Sequence, residues 1–127
     1  MLGNSNLDGC SSTFTLLNDS GTALTSADVL KPVRCKAANT KMATLCADGD
    51  RVFYILENVD ANAAVVTVGR NKVYEGVKTS GTAPDPTSAT PFVDADGAGG
   101  VSGTTSPTNA VVLAYDSAAA TCTILVM

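Results

Sequence analysis

"AAVVTVGRNKVYEGVK", residues 63–78, is the stretch on which the fold turns. Two runs rich in valine flank Arg70-Asn71, and β-branched residues favour a pleated, half-buried backbone. Neither run shows a helical apolar period, so both read as strands. The short connection between them predicts a hairpin. Asn71 suits its turn because asparagine tolerates positive φ.

The same rhythm extends in both directions. "TFTLL" (13–17) is the first expected strand. "TSADVL" (25–30) reads as one helical turn with Ser26 as N-cap, ended by Lys31-Pro32. In "KPVRCKA" (31–37), Val33, Cys35 and Ala37 are expected on one face and Arg34 and Lys36 on the other. "KMATLCA" returns after "ANT", and "DGD" (48–50) is a turn. "RVFYILE" (51–57) is apolar on both faces and predicts a strand covered on each side. "NVDAN" (58–62) turns the chain again. At the end, "NAVVLAYD" and "ATCTILVM" are two strands joined by "SAA", with Cys122, Ile124 and Val126 inward and Thr121 and Thr123 outward.

Short strands at regular spacing predict an all-β chain, a small single-domain β-sandwich or β-barrel. A Gly-, Ser- and Asn-rich arm, residues 1–13, precedes a β domain, residues 14–127. Two long polar segments, 80–91 and 97–109, are expected as binding or mobile loops.

Composition narrows the chemistry. The chain has 127 residues, 45% hydrophobic and 5% aromatic, with no Trp, so Val, Leu, Ile and Ala must build the core. It has no His. That removes the commonest general base and every Ser-His or Cys-His nucleophile pair. The expectation is a protein that is not an enzyme and needs no cofactor. A net charge of −4 argues against direct nucleic-acid binding. All Lys and Arg lie between Lys31 and Lys78, and Lys31, Arg34, Lys36 and Lys41 stand together without an intervening acid. They read as a solvated strand face or as a docking patch for an acidic surface. No apolar run is long enough to span a membrane, and the start lacks the pattern of a signal peptide. The four cysteines, at 10, 35, 46 and 122, have no C-x-x-C spacing. They read as reduced and mostly buried, with a Cys35–Cys46 bridge across a hairpin as the alternative.

"FVDADGAGGV" (92–101) raises the question of calcium. With Asp94 at position 1 of an EF-hand loop, Asp96 and Gly99 fall at positions 3 and 6, but Ala98 and Thr105 fall at ligand positions 5 and 12. The ligand count fails, so Asp94 and Asp96 are weak metal candidates. The stretch is expected to be a glycine-driven turn between two strand ends. A hydrolase using Asp94 and Asp96 lacks any pocket that would raise one carboxyl. Tyr54, Tyr74 and Tyr115 lie on separate strands, so core or interface roles are expected before a stacking platform.

"ADGDRVFYI", "VYEGVKTSG", "FVDADGAGGV" and "VVLAYDSAAATCTILVM" together resemble the small capsid decoration, or cement, proteins of tailed bacteriophages. The resemblance covers roughly residues 46–127. It implies a structural protein of the virion exterior, made in the host cytoplasm. Such a protein binds the major capsid protein outside the assembled shell, as a homo-oligomer and often a trimer, and stabilises the shell against internal pressure. It implies no catalytic residues, no nucleic-acid contact and no membrane. Residues 1–13 would reach a neighbouring capsomer. Candidate capsid or subunit contacts are Leu2, Leu7, Phe14, Lys31, Arg34, Lys36 and Lys41. The alternative is a non-catalytic β module that binds carbohydrate or another surface ligand through the loops 80–91 and 97–109, with or without calcium.

Overall fold

A computed structural model describes residues 12–38 and 40–127. Among them are ten strands, one 3₁₀ turn and no α-helix. In chain order the strands are β1 (Ser12–Asn18), β2 (Pro32–Cys35), β3 (Met42–Leu45), β4 (Tyr54–Val59), β5 (Val65–Arg70), β6 (Lys72–Lys78), β7 (Phe92–Ala95), β8 (Val101–Thr104), β9 (Ala110–Asp116) and β10 (Thr121–Val126). The all-β expectation holds.

The first five strands close into a barrel in the order β1-β3-β2-β4-β5, with β5 returning to β1. Only the β1–β3 pair is parallel. The last five form an antiparallel sheet in the order β6-β10-β9-β7-β8. A bridge between Thr79 and Val101 draws the two edges of that sheet together.

Each body has its own core. Leu24, Val33, Ala43, Leu56, Val66 and Val68 fill the barrel. Tyr74, Val77, Val93, Val101, Val112, Cys122, Ile124 and Val126 line the second core, together with Val52 and Ile55 from the barrel side. The apolar run 51–57 serves both. Ile55 and Leu56 are consecutive and both 0% exposed, and one faces each core. Alternation along one strand sends neighbours to opposite faces, so β4 is a wall common to the two bodies. Burying each such side chain contributes about 2 kcal/mol or more.

The expected hairpin across Arg70-Asn71 does not form. A strand has two edges, and both edges of β5 are taken: Arg70 pairs with Ser12 on one side and Gly69 with Ile55 on the other. Asn71 does adopt positive φ, at 57°, but it turns the chain out of the barrel and into the second sheet. There β6 pairs with β10, the last strand.

Other expectations change in detail. The 3₁₀ turn, Ser26–Asp28, is capped by Thr25 rather than Ser26, because the Asp28 carboxylate reaches back to the Thr25 amide and completes a capping box. Cys35 is exposed, not inward with Val33, since β2 ends there and the barrel wall stops covering it. The register sets Cys35 opposite Ala43, while the Cys46 amide bonds back to Pro32, so the two sulfurs cannot face each other across the hairpin. Cys35, Cys46 and Cys122 are free thiols. The segment 97–109 is not a continuous loop: it contains β8, which pairs with β7 as the two expected strand ends. β9 and β10 form the expected final pair, with Cys122, Ile124 and Val126 buried. Ser12 and Thr13 already belong to β1, and the rest of the arm lies outside the described residues.

Candidate interaction surface

Three of the stretches quoted for the resemblance meet at one place. The turn at 47–50 closes through an Asp50 amide bond to the Ala47 carbonyl, with Gly49 at φ 82°. It then docks on the end of β7: the Gly49 amide donates to Ala95 O at 2.9 Å and the Ala95 amide to Asp50 O at 2.9 Å. Gly97, at φ 76°, lies so close that a Cβ there would stand 2.9 Å from the Asp48 Cβ. The segment after β6 joins from a third side, where Ser80 Oγ donates to Asp96 Oδ2 at 2.7 Å.

Asp96 is the organiser of its own turn. Its Oδ1 accepts the Ala98 and Gly100 amides at 2.7 and 2.9 Å. Asp94 is directed elsewhere, accepting from Ser102 Oγ at 3.1 Å. The two carboxylates therefore have separate partners. No group of three or more Cys, Asp or Glu side chains with metal-holding geometry exists among the described residues. The stretch is a turn held by glycine and aspartate.

The basic residues border this cluster, but they are not a bare cationic patch. Lys31 bonds Asp28 Oδ1 at 2.7 Å, and its stem lies against Gly99, where a Cβ would come within 2.9 Å of Lys31 Cδ. Arg34 Nε sits 3.4 Å from Asp50 Oδ2, within the cluster itself. Lys36 bonds Asp19 Oδ1 at 2.8 Å. That hydrogen bond, with the Gly21 amide, holds the Asp19 carboxyl below its ordinary value of 3.8. Lys41 has no carboxylate partner among the described residues and borders a groove beside β1. Three of the four cations are thus paired with acids, and two of those acids, Asp50 and Asp19, are distant in sequence and invisible to a local charge count. The Arg34–Asp50 pair is exposed and contributes little to stability, whereas Lys36 neutralises a carboxylate that is itself buried.

Phe14 is 45% exposed and packs edge-to-face on Tyr54, with ring centroids 6.0 Å apart. The Arg70 guanidinium lies over the Tyr54 ring, 5.7 Å from its centroid. Tyr74 is buried and Tyr115 lies in the second body, so the three tyrosines do not gather into a platform. Leu2 and Leu7 lie outside the described residues.

The loop before β7 packs on β8. The Gly103 amide donates to Thr82 O at 2.7 Å, and a Cβ at Gly103 would meet the Ala83 carbonyl at 2.6 Å. Between them opens a cleft of about 440 Å³, walled by Thr82, Asp85, Ser88, Thr90, Phe92 and Thr104. Thr87 donates to Asp85 through hydroxyl and amide, at 2.6 and 2.9 Å, and holds that carboxyl low.

One group escaped the sequence reading. Glu57 of β4 accepts from Lys72 Nζ at 2.8 Å and from Tyr74 Oη at 2.7 Å, both on β6. Its only sequence signal is a single acid at the end of an apolar run. The three residues tie the barrel to the second sheet.

Comparison with family models, curated proteins and solved structures finds no match to the chain.

Proposed function

We propose that this chain is a structural protein that binds the outer surface of a bacteriophage capsid and stabilises the shell as a homo-oligomer, in the manner of a trimeric cement protein. The observation that carries the reading is the convergence of the Asp48–Asp50 turn, the Lys78–Ser80 segment and the Asp94–Gly100 turn. Stretches that resemble cement proteins are scattered in sequence, yet they build one surface. The all-β framework and the paired cations beside that surface are consistent with a rigid, many-copy adhesive domain. The reading assigns no catalytic role to any residue. The capsid partner is the major capsid protein, and the site of action is the virion exterior.

The test is addition of purified protein to capsids lacking decoration, followed by a heating assay. Binding with a raised shell melting temperature is the expected result, weakened by Arg34→Glu, which removes one cation from the edge of the turn cluster. Capsids that neither bind the protein nor gain stability would end this reading.

A second reading rests on the 440 Å³ cleft, where hydroxyls surround the half-buried ring of Phe92. Such a lining suits a sugar stacked on an aromatic face. Calorimetry against a glycan panel, with and without calcium, distinguishes it: heat abolished by Phe92→Ala supports it, and silence removes it.

A further inference from the structure

The second sheet has an inner face on its core and an outer face on solvent. Alternation assigns the side chains: Tyr74, Val77, Cys122, Ile124, Ala110 and Val112 are buried, and their neighbours point outward. Two outward rows cross β6, β10 and β9 in register. In the first, Leu125 stands between Val73 and Val111. In the second, Thr121 stands between Lys78 and Asp116. The first row is apolar. Val73 is 52% exposed, and Leu125 and Val111 are half-buried. Leu113, 48% exposed, adjoins it where the β9–β10 register shifts. A contiguous apolar patch rimmed by polar groups marks an association site. The second row carries one charge of each sign, at its two ends. Neither has an ion partner among the described residues. Asp116 Oδ1 accepts the Ala118 and Ala119 amides, at 3.0 and 3.2 Å, which fixes the carboxylate in place.

The order of the two rows identifies the partner. β6 and β9 are each antiparallel to β10, so they run parallel to each other, and the step between rows is the same on both, 73 to 78 and 111 to 116. A two-fold axis along β10 therefore lays each row on its own reverse. Leu125 meets Leu125, each Val73 meets a Val111, and each Lys78 meets an Asp116. Glu75 falls opposite Leu113, so no like charges are opposed. A face whose charges match their own reverse selects a second copy of this chain over a partner of single sign.

We infer that the outer face of β6, β10 and β9 binds the same face of a second copy, as an isologous pair about a two-fold axis along β10. The two sheets stack as in a sandwich, about 10 Å apart and within about 30° of parallel. A two-fold contact closes on two copies and leaves the rest of the surface free for other contacts, so the inference does not rest on the capsid reading.

Sedimentation equilibrium of the full chain at low salt, from micromolar to millimolar, tests this. The expected result is a monomer–dimer equilibrium. Lys78→Glu sets acid against acid at two places and should weaken the dimer about tenfold or more, as should Asp116→Lys. Combining the two restores opposite charges in reversed order, so the double variant should recover the dimer. Val73→Glu, at an exposed position, should weaken it about tenfold or more by placing a charge in the apolar row. A monomer at every concentration overturns the proposal. So does an oligomer indifferent to these changes, or a double variant that fails to recover. A strictly monomeric protein that still binds capsids would defeat this pairing and leave the capsid reading standing.

Discussion

The hydroxyl of Tyr74 donates to Glu57 Oε2 at 2.7 Å, and this contact joins two β bodies that have separate cores. Lys72 neutralises the same carboxylate at 2.8 Å. Gly69 on β5 lies beneath the pair, where a Cβ would collide with both the carboxylate and the phenol. The joint thus requires an acid, a phenol, an ammonium and an absent side chain together.

Tyr74→Phe removes a hydrogen bond to a charged group and is expected to cost about 1–3 kcal/mol. Gly69→Ala should cost a comparable amount by displacing Glu57. Because both act on one network, the double variant should lose less than the sum. Urea denaturation of the four proteins checks this; strict additivity would show the residues to be independent.

The same joint predicts an alkaline limit. Burial, then the hydrogen bond and charge of Glu57, push the Tyr74 phenol above its ordinary value of 10.0. An acid whose pKa is raised on folding favours the folded state while it keeps its proton. Its contribution is therefore complete below pH about 10 and is lost as pH rises toward the raised value. Ultraviolet titration should show Tyr74 ionising only as the protein unfolds, and Tyr74→Phe should flatten stability against pH above that point. A Tyr74 that titrates in the native protein near 10 would remove the prediction.

Asp96→Ala strips the 94–100 turn of three hydrogen bonds and should lower stability by about 1–3 kcal/mol. Asp94→Asn should cost less, since an amide oxygen still accepts from Ser102. Neither change should alter the response to calcium, and a chelator should leave the melting temperature unchanged. A chelator-induced drop in melting temperature would mean that a metal holds this turn after all.

Burial pushes the Cys46 thiol up to about 12, with the Asp50 charge adding to it, and the Cys122 thiol up to about 11. Since the thiolate is the reactive form, both should be inert to alkylation at pH 8. Cys35 is exposed. In a Cys10→Ser background, mass spectrometry after brief iodoacetamide treatment should find label on Cys35 before either other site. Early label on Cys46 would indicate that the barrel end near Pro32 opens readily.

Local patterns in the sequence carried the fold class, most strand positions and the β7–β8 turn, because alternation and glycine placement are short-range signals. "RVFYILE" announced a strand covered on both faces. What covers it was not legible, because two cores meeting at one strand is a property of the whole chain. The Arg70-Asn71 step was misleading for a related reason. Two strands and a tight turn look alike whether the second strand pairs with the first or leaves for another sheet, and the decision lay in residues 12–17 and 54–59 taking both edges of β5. The charge cluster failed in the same way. Lys36 and Asp19, like Arg34 and Asp50, are partners only after folding. The turn cluster was visible in pieces, and its assembly from three distant segments was not.

The placement of Ile55 and Leu56 back to back on β4 has a mechanical consequence. A load applied to the second sheet passes into the barrel through a strand whose two faces belong to different cores, as well as through the Asn71 connection and the 47–50 turn docked on β7. Loss of either core removes one face of β4's packing, so heating should produce one transition seen equally by probes in both halves. Ile55→Ala and Leu56→Ala, each expected to cost about 2–5 kcal/mol, should lower that one transition rather than split it in two.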